Sequence, residues 1–211
     1  MTLRCLKYYD LRHLVRMIDY PNRAPCMKIL DQNAELFRQA PGSTHNHQAW
    51  RGGYWHHVTE CMNIWLRQYS FFKATGRMGL LPPEERFTKS DGLLVLFLHD
   101  IEKPWRCVLA DGNPVVGPDG RFLTRPGMER KAARQQYAQD IIREMGVVLT
   151  PNLENALRYV EGIRDSDYTP GSRIMLPLAA LCHTCDLLSA RAFYAFPSEH
   201  GDTWGPGRIS G

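Results

Sequence analysis

The sequence predicts an all-α domain that carries one small β-hairpin-like insertion, and three observations predict it. Apolar residues recur at helical spacing along most of the chain. One stretch, 105–125, breaks that pattern with two Asp-Gly pairs and short β-branched runs. A length of 211 residues with 44% hydrophobic content suits one domain, 1–211, with a sizeable core, and there is no internal repeat or low-complexity tract.

The elements follow in order. The N-terminal stretch MTLRCLKYYDLRHLVRM is amphipathic and lacks a secretory apolar core. Lys28–Gln39 reads as a short amphipathic helix, and APGSTHNHQAWRGG, Ala40 to Gly53, as a loop rich in turn residues. A long helical pattern runs from Tyr54 to about Ala74, where GRMGLLPPEE breaks it. Ser90 or Asp91 can cap the next helix, which carries LLVLFLHDIEKPW, Leu93 to Trp105, and stops near Pro104. CVLADGNPVVGPDGRFL then forms the body of the insertion. Helical patterns resume over Met128–Met145, Leu153–Arg164 and Ile174–Tyr194. The Gly- and Pro-rich tail FPSEHGDTWGPGRISG, 196–211, reads as irregular.

Net charge is +4 and the sequence pI is about 8.8. That mild excess fits a phosphate-bearing ligand but is too weak to argue for nucleic acid. A surface simply rich in Lys and Arg is the commoner cause. The longest apolar run falls far short of the ~18–20 residues of a membrane span, so a cytoplasmic location is the expectation. The six cysteines are not spaced as a small disulfide scaffold. Cys182-x-x-Cys185 is a single pair; a structural zinc site would need two more ligands, and buried thiols are the better reading.

The chemistry gathers where LLVLFL runs straight into His99, Asp100, Glu102 and Lys103. Charge in an apolar setting costs several kcal/mol unless it is paired. An adjacent His-Asp pair can chelate one ion, and imidazole with carboxylate suits Zn, Mn, Fe, Co or Ni better than Ca. Two further segments offer partners. In GGYWHHV, His57 lies in line with Cys61, Ile64 and Gln68, whereas His56 lines up with Glu60, Asn63 and Arg67. The first line is the more apolar, so His57 is the ligand candidate and His56 belongs at the rim or in solvent. In LPLAALCHTCDLLSARAF, Asp186 lies in line with Met175, Ala179, Cys182, Ala190 and Phe193, a face where a cation would offset the cost of a lone carboxylate. His183 sits one turn earlier on nearly the same face. His45 and His47 stand in the loop before His57. Each residue alone has a bland reading as a packed core histidine, a chance dipeptide or an arginine's partner.

Taken in order, His57, then His99-Asp100, then Asp186 resembles the H…HD…D pattern of the HD-domain superfamily of metal-dependent phosphohydrolases. HQAWRGGYWHHV looks like its glycine-bearing segment before the first ligand, LFLHDIEKP like its HD pair and following lysine, and PLAALCHTCDLLSAR like its last helix. The resemblance spans roughly Thr44 to Arg191. It implies an HD-type helical bundle in which His57, His99, Asp100 and Asp186 hold one divalent transition metal (Mn, Co, Ni, Zn or Fe). It also implies that Lys103 contacts phosphate or assists catalysis. Glu102 departs from the usual glycine; it either accepts a proton from water or faces solvent. No histidine occurs from Ile101 through Leu181, where dinuclear branches place two. One metal is therefore expected, although Glu129 or Glu161 could help hold a second, weaker one.

The function so implied is hydrolysis of phosphoester or phosphoanhydride bonds in a small nucleotide, of the nucleotidase or deoxynucleoside triphosphohydrolase type. Expected substrate contacts are His47, Arg51, Tyr168, Arg173 and His183, with Arg158 and Arg164 as further cations and RDSDYTPGSR, Arg164 to Arg173, as the substrate loop. Trp50, Tyr54 and Trp55 either stack on a base or pack in the core. Three rivals stand beside this: a non-catalytic nucleotide-binding module, a dinuclear-iron oxygenase of the same fold, and a nucleic-acid hydrolase. The sequence is compatible with a monomer or an oligomer, and it offers no membrane partner.

Overall fold

The computed structural model of the chain describes residues 7–44, 46–109, 112–163 and 165–192. The tail expected to be irregular, 196–211, lies outside them, as do Cys5, His45 and Arg164. Among the described residues the chain is mostly helical and forms no sheet, in keeping with the all-α expectation.

The helices are α1 (Leu11–Arg16), α2 (Arg23–Gln32), α3 (Ala34–Gln39), α4 (Gly53–Ala74), α5 (Lys89–Leu98), α6 (Lys103–Cys107), α7 (Lys131–Met145), α8 (Pro151–Tyr159) and α9 (Pro177–Ala192). The stretch Lys28–Gln39 divides at Asn33, whose non-helical φ of −125° and ψ of 20° interrupt the helix between α2 and α3. α4 is the axis of the fold and packs against α1, α3, α5 and α9. From His57 to Leu66 every residue of α4 is buried. Glu60 and Asn63, on the line expected to face outward, are therefore inside as well. The periodicity argument assumed one solvated face, and a helix with neighbours on several sides has none along that stretch.

α5 is capped by Thr88 rather than by Ser90 or Asp91. The Thr88 hydroxyl accepts from the Asp91 amide at 3.2 Å, and the Asp91 carboxylate accepts from the Thr88 amide at 2.7 Å, a reciprocal capping box. The run Leu93 to Leu98 is at most 2% exposed, so α5 is apolar all round because it is covered all round, by α1, α4, α8 and α9. Each fully buried Leu or Phe of this kind contributes ~1.5–3 kcal/mol. Gly92 makes the α4–α5 contact close: a Cβ there would stand 2.0 Å from Trp65 Cε2. The Trp65 indole also donates to the Lys89 carbonyl at 2.8 Å.

α5 does not run on to Pro104. It ends at Leu98 with His99 as C-cap, a short turn follows, and α6 begins with Pro104 in its first turn, where a missing N–H costs nothing. The His-Asp pair thus occupies the break between two helices. In the segment expected to be hairpin-like, Trp105–Cys107 belongs to α6. Beyond it lie two isolated antiparallel bridges, Val108 with Pro114 and Val116 with Phe122, in place of paired strands. Gly120, of the second Asp-Gly pair, takes a left-handed φ of 78°, as its turn requires. Cys26, Cys61, Cys107, Cys182 and Cys185 are free and buried. No helix of the described residues is long and apolar enough to cross a membrane.

Candidate metal centre

Three segments far apart in sequence bring four ionisable side chains to one point. His57 comes from the first third of α4, His99 and Asp100 from the break after α5, and Asp186 from the middle of α9. His57 Nε2 lies 3.3 Å from His99 Nε2, 3.1 Å from Asp186 Oδ1 and 3.5 Å from Asp100 Oδ2. His99 Nε2 lies 3.2 Å from Asp100 Oδ2 and 3.8 Å from Asp186 Oδ1. His57, Cys61, His99 and Asp186 form a buried group whose ligand atoms all lie within 4.8 Å of one another, and that group can hold a metal ion. Donor atoms bound at about 2.1 Å stand roughly 3.0–3.4 Å apart around one centre, which is the spacing of the closest pairs here. Asp100 Oδ2 lies outside that group but stands 3.5 Å from the His57 imidazole and 3.2 Å from that of His99.

Both histidines are turned by their far nitrogens. His99 Nδ1 is 2.8 Å from the Leu96 carbonyl, which can only accept, so Nδ1 carries the proton and Nε2 faces the centre. His57 Nδ1 is 3.0 Å from the Ser189 hydroxyl, which donates to Glu60 Oε2 at 2.9 Å and accepts from Gln48 Nε2 at 3.3 Å. Gln48 is brought there by the turn-rich loop. Its carbonyl accepts from the Gly42 and Trp50 amides, its φ is 44°, and a Cβ on Gly53 would stand 1.8 Å from that carbonyl. Only glycine fits at Gly53, which gives the second glycine of WRGG a physical reason. Cys61, one turn after His57, places its sulfur 3.8 Å from both ring nitrogens. Burial, then the nearby Asp186, holds its thiol pKa well above the usual value.

The electrostatics show what the buried charges need. Burial raises the Asp100 carboxyl, but Lys103 and His99 outweigh it and hold the group well below its ordinary range. Lys103 is itself buried and forms an ion pair with Asp100 Oδ2. Burial lowers His99, but Asp100 and then Asp186 outweigh it and raise the imidazole to about 9. Asp186 is held low by its hydrogen bond and charge interaction with His57 against the effect of burial. The carboxylates thus draw in every proton and cation within reach. Glu102 behaves oppositely: burial, then Asp100, pushes it up to about 7, with Arg106 and Lys103 pulling back. It does not face solvent: it is buried, and its Oε1 pairs with Arg106 at 3.0 Å.

Of the expected substrate contacts, His47 stands beside the centre, its ring 4.8 Å from that of His57. Burial, then His57 and Lys103, lowers it to about 4, so it is neutral at neutral pH. His183 turns away from Asp186 and donates from Nδ1 to the Val160 carbonyl at 2.8 Å. Arg51 is exposed, Tyr168 is 67% exposed, and Arg173 pairs with Glu85. The loop holding Tyr168 and Arg173 precedes α9, and Asp186 lies nine residues past Pro177, about 13 Å along that helix. Arg158 pairs with Asp167 at 3.2 Å and Glu161 with Lys131 at 3.0 Å, while Glu129 is exposed. Trp50 donates to His56 Nδ1 at 3.1 Å, and Tyr54 packs edge-on against Phe37. Sequence reasoning did not single out Gln48, Glu60 or Ser189. Glu60 and Ser189 each follow a ligand candidate by three residues, the spacing that shares a helix face. Compared with protein-family models, curated proteins and solved structures, the chain matches none.

Proposed function

We propose that this chain is a metal-dependent phosphohydrolase of the HD type, cleaving phosphoester or phosphoanhydride bonds of a small nucleotide. The observation that carries the reading is the convergence of His57, His99, Asp100 and Asp186, from α4, the α5–α6 break and α9, with each imidazole Nε2 3.1–3.8 Å from the other and from both carboxylates. A divalent ion of the Mn, Co, Ni, Zn or Fe type, held by those four side chains, would supply an activated water and neutralise charge on the phosphoryl oxygens. Lys103 is the cation at hand. Its ammonium pairs with the carboxylate that would bind the ion, so it stands where a phosphate oxygen could exchange for Asp100. Glu102, which burial and then Asp100 push above the ordinary carboxyl range, is the proposed proton acceptor. His47, neutral beside His57, offers a hydrogen bond without competing for the phosphate as a charge. A single ion is proposed, since no histidine occurs from Ile101 through Leu181.

The test is to load the protein with Mn, Co, Ni, Zn, Fe or Mg and measure phosphate, pyrophosphate and nucleoside release from a panel of nucleotides. Release with at least one metal is expected; none from any combination would end the reading. A non-catalytic nucleotide-binding module is the second reading. It is favoured by the engagement of both candidate catalytic side chains, Lys103 with Asp100 and Glu102 with Arg106. Nucleotide binding without turnover would select it.

A further inference from the structure

Ser189 is completely buried on α9, and its hydroxyl has Glu60, His57 and Gln48 within 3.3 Å. A hydroxyl has one proton to give and two lone pairs. The proton goes to Glu60 Oε2 at 2.9 Å, and one lone pair takes the Gln48 amide at 3.3 Å. The other faces His57 Nδ1 at 3.0 Å. With its single proton spent on the carboxylate, the hydroxyl can only accept from the imidazole. His57 must then carry a proton on Nδ1, which leaves Nε2, 3.1 Å from Asp186 Oδ1, as the nitrogen whose proton a bound cation would replace. The Gln48 side chain also donates to the Ser189 carbonyl at 3.0 Å, so the hydroxyl is fixed from the backbone side too.

We propose that Glu60, acting through the Ser189 hydroxyl, is a positioning residue for metal binding: the chain Glu60–Ser189–His57 fixes the imidazole's tautomer and tilt and presents Nε2 to the ion. This rests on the metal-centre part of the reading above and not on the hydrolysis. A carboxylate at the far end of the chain also makes the imidazole a stronger electron donor, as a carboxylate bound directly to a ligand histidine does. The arrangement differs from a direct carboxylate contact in that the hydroxyl on α9 lies between two residues of α4. Docking of α9 therefore both delivers Asp186 and switches on His57.

The test measures Zn²⁺ affinity of the full chain by competition with a chromophoric chelator, for the wild type, Ser189→Ala and Glu60→Gln, at a temperature where far-UV circular dichroism shows all three folded. Loss of a supporting hydrogen bond of this kind costs ~10–100-fold in metal affinity, and that is expected for Ser189→Ala. Glu60→Gln keeps an accepting oxygen but loses the charge, so a smaller loss in the same direction is expected. If Ser189→Ala does not fold, Glu60→Gln carries the affinity test. In ¹⁵N NMR of the Zn-loaded wild type, the His57 proton is expected on Nδ1, in slow exchange. Variant affinities within twofold of wild type, or a proton found on Nε2, would overturn the proposal. A tie that merely joins α4 to α9 would lower thermal stability without moving either readout. Failure of the wild type to bind Zn²⁺ would overturn both this inference and the metal centre. Weakened binding in the variants without nucleotide hydrolysis by the wild type would leave the relay standing and remove the hydrolase.

Discussion

His57 Nε2 and Asp186 Oδ1 lie 3.1 Å apart across the contact between α4 and α9. A buried imidazole and a partly buried carboxylate at that distance share either a proton or a cation. Removing the Asp186 charge tells the two apart. Asp186→Asn keeps size and shape but removes the charge. Bound metal, measured by elemental analysis after gel filtration, is expected to fall by more than the ~10–100-fold that a lost supporting hydrogen bond costs. Asp100→Ala is expected to do the same. Full metal content in both would dissolve the centre.

Removal of metal should expose the pH dependence of His99. Its folded-state pKa is raised from 6.5 to about 9 by Asp100 and Asp186 in spite of burial. A raised value means that folding takes up a proton. The stability so gained is present in full below about pH 6.5 and is lost as pH rises through about 9. Urea unfolding of the metal-free protein is expected to show this decline, and His99→Gln to flatten it. Asp100 and Asp186, held low, act in the opposite sense: their contribution is lost as pH falls below the ordinary carboxyl range. A metal-free protein that gains stability between pH 7 and 9 would contradict the assignment.

The Glu102–Arg106 pair offers a separate test of Glu102. With both side chains about nine-tenths buried, Arg106→Met leaves an unpaired carboxylate inside and is expected to cost ~3–5 kcal/mol. The double variant Glu102→Met with Arg106→Met removes both charges and should recover most of that loss. Nucleotide hydrolysis then separates structure from chemistry. If the stable double variant turns over substrate at the wild-type rate, Glu102 has no part in the reaction.

Gly92→Ala tests the packing that sets the position of the His-Asp pair. The added methyl would meet Trp65 Cε2 at 2.0 Å, in ring atoms that have nowhere to move. Overpacking of this kind costs typically ~1–3 kcal/mol. A lower melting temperature is expected, with partial recovery when Trp65→Leu is added. An unchanged melting temperature would mean that α4 and α5 do not approach as described.

Much of this arrangement can be read in the chain, and the reasons it stops are physical. Helical periodicity separates His57 from His56, because Cys61 and Ile64 stand in line with the inward residue and both are buried. The same rule misplaces Glu60 and Asn63, because periodicity locates a wet face and α4 has none between His57 and Leu66. Asn63 spends its burial on Tyr9, to whose carbonyl it donates at 2.8 Å, a contact 54 residues away that no local pattern announces. Pro104 marks a helix boundary but does not say which one; it starts α6 instead of ending α5. Ser189 is the plainest case. A serine near the end of an amphipathic helix carries no signal until α9 is laid against α4.

The sequence distance between Glu60 and Ser189, 129 residues, has a consequence for how the protein is made. A nascent chain that has emerged only through α8 already holds both imidazoles and Asp100. It lacks the carboxylate of Asp186 and the hydroxyl that orients His57. Synthesis order places Asp186 and Ser189 after the other side chains, so the group of ligand atoms is complete only once α9 has been made and laid against α4.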